Sequence, residues 1–283
     1  MNHLKATILG AAMAVHCAGM ALAKDAVLER GQYLMNSVVA CGNCHTPKGA
    51  DGKAIAGQEL SGGFVIDTPV FHSVAANITP DPETGIGKWT DTQIIRAIRE
   101  GKRPDGSIIG PPMPIPFYRS MSDNDAHALV AALRAAKPVR NKVEKSTYKI
   151  PVPDAYGPPV VKVSDPLRGN KVAYGRYLSD IGHCMECHTP MVRGEIDLSR
   201  VGAGGRELPV GPGVVVSANL TPANPAGIAH WTDAQVKTTM LTGVRPDGRA
   251  LVRLMAFDWY KNIEGRDLDA LVAYLRTLKP VKP

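Results

Sequence analysis

Cys-x-x-Cys-His occurs twice in this chain, as Cys41-Gly42-Asn43-Cys44-His45 and Cys184-Met185-Glu186-Cys187-His188, and no other feature constrains the fold as strongly. A pair of cysteines at this spacing has several uses. In an exported protein it suits a disulfide, and in a cytosolic one it suits zinc or redox work. The histidine directly after each pair decides for c-type haem attachment. The spacing puts both thiols on one helical turn, facing the two vinyl groups on one haem edge, and the next residue lies under the iron. Zinc wants four ligands, and each motif offers two thiols and one imidazole. With five cysteines and eight histidines in 283 residues, two chance copies can be dismissed.

The two motifs sit in a repeat that runs through most of the chain. Tyr33-Leu34 matches Tyr177-Leu178, and Ala76-Asn77-Ile78-Thr79-Pro80 matches Ala218-Asn219-Leu220-Thr221-Pro222. Trp89-Thr90-Asp91 matches Trp231-Thr232-Asp233, and Arg103-Pro104-Asp105-Gly106 matches Arg245-Pro246-Asp247-Gly248. The offset is 143 at the haem motifs and 142 from Asn77 onward. Two homologous domains with one haem each are expected, over 24–140 and 166–283. Residues 141–165 carry Pro151, Pro153, Pro158 and Pro159 and read as an extended, semi-rigid linker.

Within each repeat the pattern is helices joined by long loops. A first helix approaches the haem motif, over about 26–40 and 171–182. A second starts at Thr90-x-x-Gln93 and Thr232-x-x-Gln235, both capping boxes. A third starts near Ser122 and Asp125, carries Leu129, Val130 and Leu133, and stops at Lys137-Pro138; its partner stops at Lys279-Pro280. The stretch from Gly49 to Gly87 has little period and reads as an irregular flap over the haem. The expected fold is all-α, two tandem class I-like cytochrome c domains with long haem-covering loops.

Residues 1–23 read as a cleaved export signal. Lys5 precedes a short apolar stretch from Ala6 to Val15, and Ala21-Leu22-Ala23 offers a small-x-small cleavage site. The stretch is far short of the roughly 20 residues a membrane span needs. Export predicts a periplasmic location, and Cys17 leaves with the signal. The formal net charge is +7, and the mature chain stays modestly basic. That permits an acidic docking partner, but no basic run points to nucleic acid.

The sixth position of each iron can be filled by methionine, by a second histidine or by nothing. Equivalent haems should have equivalent ligands. His45 and His188 take the proximal side. Met113 and Met255 are 142 apart, in loops between the Arg-Pro-Asp-Gly turn and the last helix, and are the expected distal ligands. Met121 is the nearby rival, but its counterpart is Ile263. Trp89, Trp231, Arg103 and Arg245 read either as donors to haem propionates or as core anchors and solvated arginines. Asn77 and Asn219, each before Thr-Pro, read as turn-fixing residues.

The runs Cys-x-x-Cys-His-Thr-Pro, Ala-Asn-Ile-Thr-Pro, Trp-Thr-Asp, Arg-Pro-Asp-Gly and Pro-Pro-Met-Pro together resemble bacterial multihaem cytochromes c that accept electrons in periplasmic dehydrogenases for alcohols and gluconate. The resemblance implies two covalently bound haem c groups held by Cys41, Cys44, Cys184 and Cys187. It implies iron ligation by His45, Met113, His188 and Met255. The partners it implies are a periplasmic dehydrogenase as electron donor and a terminal oxidase, another cytochrome or a quinone-linked component as acceptor. Three-haem members have a further motif and a C-terminal membrane anchor, and this chain has two motifs. An electron-transfer role without catalysis is the leading expectation. The alternative is a dihaem oxidoreductase of peroxidase or thiosulfate-oxidising type, which needs one iron with a labile or missing ligand. A haem-based sensor would need an output domain.

Overall fold

The computed structural model describes residues 24–281 apart from 211, 212, 223, 224 and 226; the expected export signal lies outside the described residues. In the first repeat α1 (24–36) leads through a tight turn to α2 (Gly42–His45). The flap then holds an antiparallel hairpin of β1 (Val65–Asp67) and β2 (Phe71–Val74). Three helices follow: α3 (Asp91–Glu100), the single-turn α4 (Ile115–Tyr118) and α5 (Asp123–Ala135). After β3 (Thr147–Tyr148), the second repeat opens with α6 (Lys171–Ile181) and α7 (Cys184–Cys187). Two hairpins come next, β4 (Met191–Val192) with β5 (Glu195–Ile196) and β6 (Glu207–Val210) with β7 (Gly213–Val216). The chain closes with α8 (Asp233–Thr242), α9 (Phe257–Tyr260) and α10 (Gly265–Thr277).

Helices dominate, but the flaps carry small β-hairpins, so the chain is not helical throughout. The hairpins lack an apolar alternation because they lie on the surface: Val65, Val214 and Val216 are all exposed. Among the described residues no helix is long and apolar enough to cross a membrane.

Both capping boxes form. Thr90 Oγ1 accepts from Gln93 N–H at 3.2 Å while Gln93 Oε1 accepts from Thr90 N–H at 2.8 Å, and Thr232 with Gln235 repeats both distances. An arginine from the last helix ties down each of these starts. Arg134 donates to Asp91 Oδ1 (3.0 Å) and to the Trp89 carbonyl; Arg276 donates to Asp233 Oδ1 (3.0 Å) and to the Trp231 carbonyl.

In each repeat the first and last helices touch backbone to backbone. A Cβ on Gly31 of α1 would stand 1.8 Å from the Ala128 carbonyl oxygen of α5, and one on Gly175 of α6 would stand 1.9 Å from that of Ala270 in α10. Glycine is required there for the helices to approach at all. Around these crossings one buried cluster joins residues of both halves, among them Leu34, Leu129, Leu133, Tyr174, Leu178, Ile181, Leu268 and Leu271. Burying each such leucine or isoleucine is worth roughly 2 kcal/mol against leaving it exposed. A second cluster around Met185, Ile228, Val236, Val272 and Leu275 belongs to the second repeat.

The proline-rich linker does not span open solvent. Thr147–Tyr148 pairs with the free edge of β2, Phe71 opposite Tyr148 and His72 opposite Thr147. Farther on, Tyr156 Oη donates to the Ile109 carbonyl (2.8 Å), Arg119 Nη2 to the Pro158 carbonyl (2.5 Å), and Val160 N–H to Glu100 Oε1 (3.0 Å). The linker is a strap laid across the first repeat, which restricts its freedom more than its prolines alone would.

One buried ion pair links stability to pH. Arg30 donates through Nε and Nη2 to the two oxygens of Asp125 at 2.8 and 2.9 Å, and Tyr177 Oη adds a third bond at 2.6 Å. Burial alone would raise the Asp125 carboxyl, but these partners win and hold it below its ordinary value. A depressed folded-state pKa stabilises the fold above the unfolded value, near 4 for Asp, and that contribution fades as pH falls through the folded value. Asp125→Ala should therefore cost about 3 kcal/mol at neutral pH, because it strands the Arg30 guanidinium. The difference from wild type should shrink below about pH 4. Urea unfolding at pH 7 and pH 3 checks this; equal differences at both would contradict it.

Candidate functional site

The backbone aims each motif before any side chain acts. Ala40 and His183, the residues directly preceding Cys41 and Cys184, sit in the left-handed region with φ of 49° and 43°. Neither is glycine, so both are strained turns of the kind that concentrate at functional sites. They end the approach helices sharply: α1 stops at 36 rather than running on to Ala40.

The motif residues then occupy one helical turn in each repeat, as their spacing requires. All four cysteines are half-buried, and none is joined to another by a disulfide. Burial pushes the Cys41 thiol up to about 12 and those of Cys184 and Cys187 up to about 11, and it raises Cys44 as well. Among the described residues no three His, Cys, Asp or Glu side chains are grouped to hold a bare metal ion.

The histidines are set by a partner that sequence reading missed. His45 Nδ1 bonds the Ala76 carbonyl at 2.7 Å, and His188 Nδ1 bonds the Ala218 carbonyl at 2.8 Å. A carbonyl can only accept, so Nδ1 carries the hydrogen and Nε2 keeps its lone pair for a metal. Burial lowers the pKa of both imidazoles, although the carbonyl contact pulls the other way. Both rings are therefore neutral at neutral pH, the state in which histidine ligates iron.

The acceptor carbonyls are seated by the flap. Gly62 N–H donates to the His45 carbonyl (2.7 Å) and Gly204 N–H to that of His188 (2.9 Å). Gly62 and Gly204 have φ of 79° and 68°, and a Cβ on either would strike the backbone at Ala75–Asn77 or Ala218–Asn219 within 2.6 Å. Asn77 and Asn219 fix the same segment, as the turn reading expects. Asn77 Oδ1 accepts from Thr79 N–H (3.0 Å) and Oγ1 (2.7 Å), and its Nδ2 donates to the Val139 carbonyl (2.8 Å). Asn219 Oδ1 accepts from Thr221 N–H and Oγ1, both at 2.7 Å, and its Nδ2 donates to the Val281 carbonyl at 3.0 Å.

Met113 and Met255 occupy matching turns: Ile115 N–H bonds the Met113 carbonyl (2.8 Å) and Phe257 N–H the Met255 carbonyl (2.9 Å). Both side chains are half-buried, whereas the rival Met121 is wholly buried in the main core. Trp89 and Trp231 pack against the two cores. Arg103 turns back on its own loop, donating to the Ile108 carbonyl at 3.0 Å. Arg245 stacks over Trp231 at 5.4 Å, and its Nε pairs with Asp247 Oδ2 at 3.6 Å, beyond hydrogen-bond distance. The donor set of each repeat (two thiols on one turn and one imidazole with Nε2 unengaged) fits a covalently bound haem.

No family model matches the chain. It is 31% identical to the cytochrome c subunit of a quinone alcohol dehydrogenase from Gluconacetobacter polyoxogenes, over all of this chain and 63% of that protein. It is 30% identical to the gluconate 2-dehydrogenase cytochrome c subunit of Pantoea cypripedii, over 90% of this chain and 60% of the relative. The chain thus spans less than two thirds of these dehydrogenase subunits. A dihaem c-type cytochrome of Cereibacter sphaeroides is 31% identical over 86% of this chain and 83% of its own length. Duplicated Cys-x-x-Cys-His turns, carbonyl-oriented histidines and these relatives agree: the chain belongs to the bacterial multihaem cytochromes c that include dehydrogenase cytochrome subunits and dihaem c-type cytochromes.

Proposed function

We propose that this protein is a periplasmic dihaem electron carrier that takes electrons from a dehydrogenase and passes them toward the respiratory chain. The observation that carries the reading is the doubled imidazole setting, in which each Nδ1 is committed to a carbonyl and each Nε2 is left to iron. Residues 24–140 and 166–283 form two cytochrome c domains with 141–165 between them, and residues 1–23 direct export. Cys41 and Cys44 tether one haem c, and Cys184 and Cys187 the other. Bound haem c supplies reversible one-electron chemistry, and methionine ligation raises its potential. His45 and His188 hold the proximal side through Nε2. Met113 and Met255, each held in a hydrogen-bonded turn, would supply the second protein ligand to each iron and so leave it no open position for water or substrate. The donor is a dehydrogenase, as the names of the relatives suggest, met in the periplasm to which residues 1–23 direct the chain, and the acceptor is an oxidase, a second cytochrome or a quinone-linked component.

Purified protein mixed with a reduced quinone-type alcohol or sugar dehydrogenase should be reduced at both haems, with no turnover of hydrogen peroxide or thiosulfate by the carrier alone. Steady turnover of either at enzyme-like rates would overturn the proposal in favour of a dihaem oxidoreductase.

A further inference from the structure

The two repeats are joined by a reciprocal pair of contacts. Tyr33, on the helix leading to the first motif, donates to Asp267 Oδ2 at 2.8 Å and accepts from Glu264 N–H at 3.2 Å. Tyr177, on the helix leading to the second motif, donates to Asp125 Oδ2 at 2.6 Å and accepts from Ser122 N–H at 3.3 Å. Glu264 and Ser122 are the N-cap residues of α10 and α5, and Asp267 and Asp125 lie three residues into them. Each tyrosine therefore caps the last helix of the opposite repeat. Asp267 is fully buried and Asp125 nearly so. A buried carboxylate is costly to leave unpaired, and so is the buried Ser122 amide, so the register of these contacts is well determined.

The attachment motifs meet at this same junction. Tyr33 and Tyr177 precede Cys41 and Cys184 by eight and seven residues. A Cβ on Gly182, at the end of α6, would lie 3.1 Å from Val38, which leads into the first motif. A Cβ on Gly42, between Cys41 and Cys44, would lie 2.9 Å from Trp259 Nε1 of the second repeat. Phe117, the counterpart of Trp259, packs on the cluster that contains Met185, the counterpart of Gly42. Tyr118 meets the His183 ring edge-on at 6.1 Å. Asn262 Nδ2 adds a bond to the Asn36 carbonyl at 2.9 Å.

We infer that the crossed Tyr33–Asp267 and Tyr177–Asp125 contacts set the separation and angle of the two haem motifs, making Tyr33 and Tyr177 positioning residues for exchange between the haems. The strap of residues 141–165 limits how far the halves can part, and the crossed tyrosines choose one arrangement within that limit. The inference rests on the dihaem reading above, and it goes further by naming what fixes the geometry.

The test uses the exported holoprotein and the variants Tyr33→Phe, Tyr177→Phe and both together. Circular dichroism in the Soret band reports coupling between two haems held at fixed distance and angle, so the wild type should show a two-signed couplet. Its absence from a wild type with two haems overturns the inference without any variant. The double variant should lose most of the couplet and slow haem-to-haem exchange after flash reduction. Opening of the junction, read by hydrogen exchange of interface amides, should rise about thirtyfold in each single variant, which loses two bonds of ordinary net strength, and about a thousandfold in the double variant, which loses four. Each haem's own absorption spectrum and midpoint should stay in place, which separates positioning from general damage. Unchanged couplet and exchange in the double variant, with two low-spin haems present, overturn the inference and leave the electron-carrier reading standing. An open, peroxide-consuming iron overturns the carrier reading instead. If the double variant does not fold, the wild-type couplet and the single variants decide.

Discussion

Replacing Cys184 and Cys187 together by alanine is expected to halve, roughly, the covalent haem content of the exported protein and leave the first haem attached. Each motif has its own left-handed turn at Ala40 or His183, its own carbonyl acceptor at Ala76 or Ala218, and its own flap glycine. Nothing in one attachment turn is borrowed from the other's thiols. The second repeat should also lose stability, because the chain has few large rings to fill its core: 3 Trp, 8 Tyr and 4 Phe in 283 residues. A porphyrin takes up space that those side chains cannot. Intact mass under denaturing conditions reads the count directly, and a variant still carrying two haems would refute the attachment assignment.

The second large effect concerns packing. Gly175→Ala should destabilise the protein by about 3 kcal/mol or more, since a methyl 1.9 Å from the Ala270 carbonyl forces α6 and α10 apart. At the size of one repeat that corresponds to a fall in Tm of roughly 10 °C. Gly31→Ala should behave alike against Ala128. Gly169→Ala is the control, because a Cβ there meets nothing within 4 Å. A Gly175→Ala protein melting with the wild type would mean that the two helices do not cross as closely as described.

Much of this was legible in the sequence because it was written in side-chain identity at fixed spacing. The single helical turn of each Cys-x-x-Cys-His run, the Thr90 and Thr232 capping boxes and the stops of α5 and α10 follow from local chemistry, whereas α1 ends at 36, short of Ala40. What escaped was written in the backbone. Ala76 and Ala218 act through their carbonyls, so the repeated Ala-Asn run is visible in the sequence but its role is not. Ala40 and His183 adopt a left-handed conformation that neither residue type advertises. The hairpins β1–β2 and β6–β7 lie on the surface and leave no alternating apolar signal, and α4 and α9 are too short for a helical period. Tyr33 marks the repeat and Asp125 marks a helix start, yet the crossing of each tyrosine to the opposite repeat is a tertiary fact. The linker shows the same limit: its prolines foretell stiffness, while its attachment to Phe71, Glu100 and Arg119 depends on the folded surface.

The central claim is that both irons are closed by the protein on both sides, so that the molecule exchanges electrons and does not turn over substrate. Absorption of the oxidised holoprotein in the far red tests it most directly, because a methionine sulfur on ferric haem gives a charge-transfer band there and an open iron does not. The account predicts two low-spin haems with that band at roughly double the intensity of a single site, each of Met113→Ala and Met255→Ala removing about half of it and lowering one potential. A high-spin signature in the unaltered protein, or a band that survives both substitutions, would contradict it.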